Sequence, residues 1–114
     1  LCTEVAAEYG GAGGDFLFGA IMVEEMARAG ATGPTFYLHS EIISPYLVHY
    51  GTEAQKQRWL PAMARGEVIT ALGMSEPSGG SDLAALKTIA IRDGDDYVVH
   101  GQKVFITSGH NADL

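Results

Sequence analysis

The chain contains little cysteine, histidine or basic charge: its 114 residues include one cysteine, four histidines and seven lysines and arginines together. A single cysteine excludes an intrachain disulfide and a cluster of thiolate metal ligands. The histidines lack metal-ligand spacing, so no metal site is predicted. The seven basic residues are scattered singly and are outnumbered by 14 acidic ones, so the net charge is −7. A nucleic-acid-binding surface would instead need clustered basic residues. No apolar run reaches the roughly 20 residues that a membrane-spanning helix needs.

Both ends of the sequence look cut. The chain begins at Leu1, without a methionine, and ends at Leu114 directly after a strand-like run. We therefore expect an internal piece of a longer protein. A targeting segment would lie outside such a piece, so its absence here carries no information about the compartment.

A glycine-rich turn at residues 10–14 precedes the first predicted helix. It is not a dinucleotide-binding fingerprint, because a G-x-G-x-x-G pattern starting at Gly11 needs a glycine where Phe16 stands. Asp15 is a suitable N-cap for the apolar run that follows, and Gly30 is suited to its C-terminal end. The predicted helix is apolar on nearly all sides, so we expect most of its faces to be buried. A piece of 114 residues can hardly bury them all, which also indicates partners outside it.

Two further helices are predicted before residue 67. One is expected over residues 32–50, with a kink or break at Pro45, because proline has no backbone N–H to donate. Thr52 and Gln55 have the spacing of a capping box that opens the next helix, which Gly66 is suited to end.

The hydrophobic period changes to two after residue 67. Alternation over residues 68–75 predicts a strand, which must end before Pro77. The Asp93-Gly94 dipeptide between two β-rich runs predicts a hairpin, and a further strand is expected over residues 103–107. The predicted fold class is therefore α+β: part of an α-helical domain, residues 1–67, followed by the start of an antiparallel β-domain, residues 68–114.

The segment Gly-Met-Ser-Glu-Pro-Ser-Gly-Gly-Ser-Asp at residues 73–82 is the most informative stretch of the chain. Its small residues and accessible backbone N–H groups suit close approach to an anion or a flat polar ligand, although its composition alone also fits a solvent-exposed turn. On the strand predicted over residues 103–107, Phe105 and Thr107 would share one face. An aromatic ring beside a hydroxyl suits a flat heterocycle with polar edges.

The order Ser-Glu-Pro-x-x-Gly-Ser-Asp at residues 75–82 resembles the flavin-binding signature of acyl-CoA dehydrogenases. Residues 101–109, Gly-Gln-Lys-Val-Phe-Ile-Thr-Ser-Gly, resemble that family's second flavin-contacting strand. The resemblance extends over essentially the whole chain, and residues 33–40 are most similar to long-chain members. It implies the acyl-CoA dehydrogenase fold, of which a C-terminal helical domain is missing here.

The resemblance also implies an activity. An enzyme of this family uses FAD to oxidise the Cα–Cβ bond of an acyl-CoA thioester, here of medium-to-long chain, in fatty-acid β-oxidation or related catabolism. It passes the electrons to an electron-transferring flavoprotein. A homotetramer is expected, in the cytoplasm of a bacterium or the mitochondrial matrix of a eukaryote.

Site residues follow from the same resemblance. Ser75 would bond the isoalloxazine edge, Ser81 would lie where flavin phosphate and CoA converge, and Thr107 would bond near flavin N5. The full set of expected flavin contacts is Leu72, Gly73, Met74, Ser75, Gly80, Ser81, Phe105, Ile106 and Thr107. The expected substrate contacts are Thr35, Phe36, His39 and Ser81.

No catalytic residue is expected in this chain, because the family's base comes from the later helical domain. Glu76 is the tempting in-chain carboxylate, but its motif position is one that shapes the loop. Three alternatives remain open: an acyl-CoA oxidase-like enzyme, a flavoenzyme of this fold acting on a substrate other than CoA thioesters, and a non-catalytic flavin- or acyl-CoA-binding paralogue.

Overall fold

The computed structural model describes residues 1–114 and has helices first and β-structure second. The α-helices and strands, in order, are α1 Phe16–Arg28, α2 Ser44–Tyr50, α3 Glu53–Arg65, β1 Ile89–Asp93 and β2 Asp96–His100. A π-helical segment, Leu38–Ile43, leads into α2, and two short 3-10 turns cover Ala7–Tyr9 and Leu83–Ala85. The predicted α+β class is confirmed. None of the helices is long and apolar enough to cross a membrane.

The termini of α1 lie where the sequence predicts them. The Asp15 side chain accepts a hydrogen bond from the Leu17 N–H at 2.9 Å, which satisfies one of the orphan donors of the first turn. Gly30 follows the C-cap with a φ of +64°, the left-handed conformation that glycine adopts without steric cost.

The second helix differs from the prediction in its start and confirms the disturbance at Pro45. Residues 32–35 are not helical, and the helical course starts at Phe36. Since Pro45 cannot donate and its ring crowds the carbonyl four residues earlier, the preceding turn widens. The Ser44 N–H donates to the carbonyl of His39, five residues back, which is π-helical bonding.

Helix α3 is closed at both ends by local hydrogen bonds. The Gln55 N–H donates to the Thr52 hydroxyl at 3.3 Å, and the Gln55 side chain accepts from the Thr52 N–H at 2.8 Å. The predicted capping box is therefore confirmed. Gly66 ends the helix with a φ of +74°.

The buried residues of the apolar core all lie in the helical half, and Val68 and Leu72 of the β half pack against them. The buried members of the core are Cys2, Val5, Ile43, Leu60 and Met63. Helix α1 stands apart from this core: Gly19 is its only buried residue, and Phe16 is 73% exposed. Contacts within residues 1–114 therefore leave the apolar side chains of α1 open, as expected of a helix whose burial was predicted to need partners outside this piece.

The β half contains one regular hairpin. Strands β1 and β2 pair antiparallel from Ile89 opposite His100 to Asp93 opposite Asp96, which confirms the predicted hairpin. Gly94 opens the two-residue connection with a φ of +62°. Every residue of both strands is exposed.

The other two predicted strands do not form. Residues 68–75 run without strand pairing, and residues 103–107 give way to turns. A strand needs a neighbour with which to exchange backbone hydrogen bonds, and these segments share only one, from the Val104 N–H to the Ser75 carbonyl at 3.0 Å.

Candidate functional site

The two segments that carry the sequence motifs lie side by side. Besides the bond between Val104 and Ser75, the Lys103 ammonium group donates to the Met74 carbonyl at 3.1 Å. Gly73 allows this approach, since a Cβ at that position would lie 3.3 Å from Lys103 Cγ. Residues that are almost thirty positions apart therefore meet at one place.

Glu76 is the centre of the polar contacts in the β half. Its carboxylate is almost fully buried and accepts three hydrogen bonds. They come from the Lys87 N–H at 2.7 Å, the Thr88 N–H at 3.0 Å and Lys103 Nζ at 2.9 Å. One side chain thus connects the motif loop, the start of the hairpin and the second motif segment.

The side chains of Thr88 and Lys103, followed by the Lys87 N–H, lower the pKa of Glu76 to about 2. The group is therefore ionised throughout the physiological pH range. A general base works best with a pKa near the operating pH, so a carboxylate this acidic is poorly matched to that role. The geometry supports Glu76 as the residue that shapes the loop.

The loop after Glu76 presents unpaired backbone donors. Glu76 and Gly79 exchange two backbone hydrogen bonds, of 2.9 and 3.0 Å. The next three N–H groups, those of Gly80, Ser81 and Asp82, have no acceptor within the chain, and all three residues are exposed. Successive free N–H groups can bind phosphate or another anion where the backbone turns them toward one point.

Ser75 lies against this loop. A Cβ on Gly80 would be 3.6 Å from the Ser75 hydroxyl oxygen, so that hydroxyl stands next to the loop backbone. The first motif therefore folds back on itself and brings Ser75 close to Gly80. Both residues are among the expected flavin contacts.

Phe105 does not occupy a strand, so the expectation that it shares a strand face with Thr107 is wrong. Its φ is +56°, in the left-handed region, and its side chain is 96% exposed. With little cross-strand bonding available, the backbone turns locally: the Gly109 N–H donates to the Ile106 carbonyl at 3.1 Å. Thr107 is exposed and Ile106 half-buried.

Three of the four expected substrate residues line one cavity. Thr35, Phe36 and His39 border a cavity of about 230 Å³ together with residues of the β half that include Thr70 and Ser108. Ser81, the fourth, lies outside this cavity, in the loop that precedes the hairpin. The cavity is thus formed where the helical and β halves meet.

His39 connects the two halves at the wall of this cavity. Its Nε2 lies 3.1 Å from the Met63 carbonyl, which can only accept, so Nε2 carries a proton. Its Nδ1 lies 2.8 Å from the hydroxyl of the buried Thr70. Sequence reasoning missed Thr70, whose only signal is its place on one side of the alternating run.

No other reactive cluster is present among residues 1–114. No group of three or more histidine, cysteine, aspartate or glutamate side chains is placed to hold a metal ion. Cys2 is buried, and desolvation raises the pKa of its thiol, which disfavours the nucleophilic thiolate.

Comparison with known protein families shows to which family the chain belongs. Residues 1–67 match the N-terminal domain of acyl-CoA dehydrogenases, and residues 71–114 match the middle domain. The chain belongs to the acyl-CoA dehydrogenase family. Its motif loop and the segment bonded to it both lie within the part that matches the middle domain.

Two relatives in this family are equally similar to the chain. The mitochondrial long-chain specific acyl-CoA dehydrogenase of Mus musculus is 46% identical over the whole chain, which covers 26% of that protein. The short-chain specific acyl-CoA dehydrogenase of Clostridium acetobutylicum is 46% identical over 93% of the chain, and the match covers 28% of that enzyme. The chain thus spans little more than a quarter of the length of these relatives.

Solved structures share the fold. An acyl-CoA dehydrogenase from Geobacillus kaustophilus matches 99% of the chain with a TM-score of 0.88 and 49% identity, over 30% of its own length. A glutaryl-CoA dehydrogenase of Mycobacterium smegmatis, solved in complex with FADH2, matches 99% of the chain with a TM-score of 0.86 and 34% identity, over 29% of its length. A structure described as the electron transferring flavoprotein of Acidaminococcus fermentans matches 98% of the chain with a TM-score of 0.86 and 38% identity, over 30% of its length.

Proposed function

We propose that the protein containing this chain is an FAD-dependent acyl-CoA dehydrogenase that introduces a double bond between Cα and Cβ of an acyl-CoA thioester. One observation carries the proposal: the two segments with the family's flavin signatures lie side by side, joined by the hydrogen bond from Val104 to Ser75.

The residues at this place fit FAD. The free N–H groups of Gly80, Ser81 and Asp82 suit a phosphate, and the exposed ring of Phe105 offers an aromatic surface for a heterocycle. Bound FAD supplies an acceptor for the hydride that leaves the substrate β-carbon. The proposed flavin-contacting residues are Leu72, Gly73, Met74, Ser75, Gly80, Ser81, Phe105, Ile106 and Thr107.

The base that takes the substrate α-proton is proposed to lie outside these 114 residues, as the family resemblance implies. The Glu76 carboxylate accepts three hydrogen bonds within the chain. Because its pKa is about 2, it is a poor acceptor of that proton. Thr35, Phe36 and His39 are proposed to border the acyl chain from the helical half, and Ser81 to contact the CoA portion. An electron-transferring flavoprotein is the proposed electron acceptor, as the acyl-CoA dehydrogenase family implies; a structure described by that name contains a chain that shares this fold.

For the acyl chain we propose medium-to-long substrates and a role in fatty-acid oxidation. The similarity of residues 33–40 to long-chain members supports this choice, whereas overall identity does not decide it, because the long-chain and short-chain relatives are equally identical to the chain. The exposed apolar side chains of α1 support a homotetramer. The compartment proposed is the mitochondrial matrix in a eukaryote and the cytoplasm in a bacterium.

A visible spectrum of the purified full-length protein tests the proposal. Under anaerobic conditions, the flavin absorbance should be bleached by acyl-CoA, and most completely by medium-to-long chains. A bound flavin that no acyl-CoA bleaches would assign the chemistry to another substrate. Rapid reoxidation of the bleached flavin by oxygen would indicate an oxidase. Absence of flavin even after addition of FAD would contradict the flavoenzyme assignment.

A further inference from the structure

We propose that Lys103 and Glu76 form a positioning ion pair, which holds the two flavin-contacting segments in register before the cofactor binds. This role rests on the proposed function. Neither residue is among the proposed flavin contacts. The pair acts instead through the backbone segments that it joins.

The geometry places Lys103 between two acceptors on the opposite segment. Its ammonium group is 2.9 Å from Glu76 Oε1 and 3.1 Å from the Met74 carbonyl oxygen. Lys103 belongs to the second flavin segment, while Met74 and Glu76 belong to the first. One side chain therefore connects the segments at two points.

Few other interactions could hold this register. Between residues 72–76 and 101–107 there is a single backbone hydrogen bond, from Val104 to Ser75. In a regular sheet, a ladder of such bonds would fix the relative position of two neighbouring strands. Here the ion pair and one backbone bond do this together, so loss of the pair leaves one bond.

This ion pair differs from the others in the chain. The side chains of Lys103 and Glu76 are 27% and 4% exposed, whereas those in the three other ion pairs are all more than half exposed. The others join residues at most four positions apart, but Lys103 and Glu76 are 27 positions apart. Low exposure reduces screening, so this pair is the one able to stabilise a long-range arrangement.

The remaining contacts of Glu76 connect the ion pair to the start of the hairpin. Its carboxylate also accepts from the Lys87 and Thr88 N–H groups at the start of the hairpin, so both oxygens are occupied within the chain. With three of its roughly four acceptor sites used and its side chain 4% exposed, this carboxylate has little capacity left for a ligand. It instead fixes where the flanking backbone lies relative to Lys103.

The test uses the full-length protein and three variants. Lys103→Met removes the charge and keeps the side-chain length, and Lys103→Arg restores a cation. Lys87→Met is the matched control, because Lys87 binds Glu76 through its backbone N–H alone and has an exposed side chain. The FAD dissociation constant is measured by quenching of flavin fluorescence on titration of apoprotein, alongside the flavin absorption spectrum and thermal melting of the apoprotein.

Lys103→Met should weaken FAD binding about tenfold, the lower end of what loss of an outer-shell partner costs at metal sites, and shift the flavin absorption bands. Lys103→Arg should recover most of the affinity, and Lys87→Met should match the wild type. If Lys103→Met fails to fold, Lys103→Gln, which keeps a donor for the Met74 carbonyl, takes its place with the same expectation.

The outcomes separate the two proposals. If the wild type binds FAD and Lys103→Met binds it within twofold with an unchanged spectrum, the positioning role is overturned while the proposed function stands. An equal loss of affinity in Lys87→Met would also overturn it, since general loss of positive charge would then explain the effect. A wild-type protein that binds no FAD overturns both.

Discussion

The helical and β halves of this chain are stabilised by different forces. In the helical half, five apolar side chains are buried and local caps close the ends of α1 and α3. In the β half the buried residues are Thr70 and Glu76, both polar, and the hairpin is exposed throughout. The first half thus depends mainly on removal of apolar area from water, and the second on the backbone hydrogen bonds of its hairpin and the bonds to the Glu76 carboxylate. Different perturbations should therefore unfold the two halves.

Truncation of the core tests the helical side of this contrast. Leu60→Ala should lower the free energy of unfolding by about 2–5 kcal/mol, because Leu60 is fully buried and the cavity left behind cannot collapse completely. Chemical denaturation of the full-length protein measures the change. Leu60→Met keeps the volume and should cost less than about 1.5 kcal/mol. Equal losses in the two variants would contradict the assigned role of the core.

Acid should affect the β half selectively. The pKa of Glu76 is lowered from 4.5 to about 2, so its ionised form favours the folded state. The resulting stability is fully present above pH 4.5 and is lost as the pH falls from there toward 2. Amide hydrogen exchange should show Lys87 and Thr88 losing protection in this window before Leu60 does.

A matched variant checks the origin of that acid effect. Glu76→Gln cannot titrate, so it should remove the selective loss of protection at Lys87 and Thr88 and lower their protection at neutral pH. Simultaneous loss of protection at Leu60 and Thr88 in the wild type would show that the halves unfold as one unit.

His39 links the halves, and its removal should weaken their connection. His39→Ala leaves the Thr70 hydroxyl and the Met63 carbonyl without their partner, at a cost of about 1–3 kcal/mol in unfolding free energy. His49→Ala is the control, since His49 is exposed and its ring centroid lies 6.4 Å from that of Tyr50, on the same helix. Denaturation curves with equal midpoints for the two variants would refute the linking role.

The smallest effect should come from a helix cap. Thr52→Ala removes the acceptor for the Gln55 N–H and should cost about 1 kcal/mol. Thr32→Ala removes an exposed hydroxyl that caps no helix and should be nearly neutral. Thermal melting of both variants provides the comparison, and a larger loss in Thr32→Ala would contradict it.

The contrast between the halves also explains which predictions succeeded. The helix ends at Asp15, Thr52 and Gly66 depend on hydrogen bonds and backbone dihedral angles within a few residues of each position. Sequence alone can therefore locate these ends. The hairpin is equally local, because Gly94 and its neighbours determine the turn. The strand expected over residues 103–107 depends on a partner elsewhere in the chain, and alternation of side chains cannot show whether enough bonds to that partner form.

For the candidate site, motif order identified the two segments but not what joins them. The sequence shows Glu76 as part of a signature, yet its contacts with Lys87, Thr88 and Lys103 depend on how three separate stretches meet. The same holds for Thr70, which pairs with His39 across 31 positions. Long-range polar contacts of this kind leave no periodic trace in a sequence.

The π-helical segment Leu38–Ile43 also changes the helical phase of everything after it. A π turn contains one residue more than an α turn, so side chains beyond Pro45 are rotated by about 100° relative to an uninterrupted α-helix. A relative without proline at this position could therefore lack one residue here and still direct the same downstream side chains, among them Leu47 and Val48, against the core. A one-residue gap in an alignment at this point would mark a change of helix type and leave the fold unaltered.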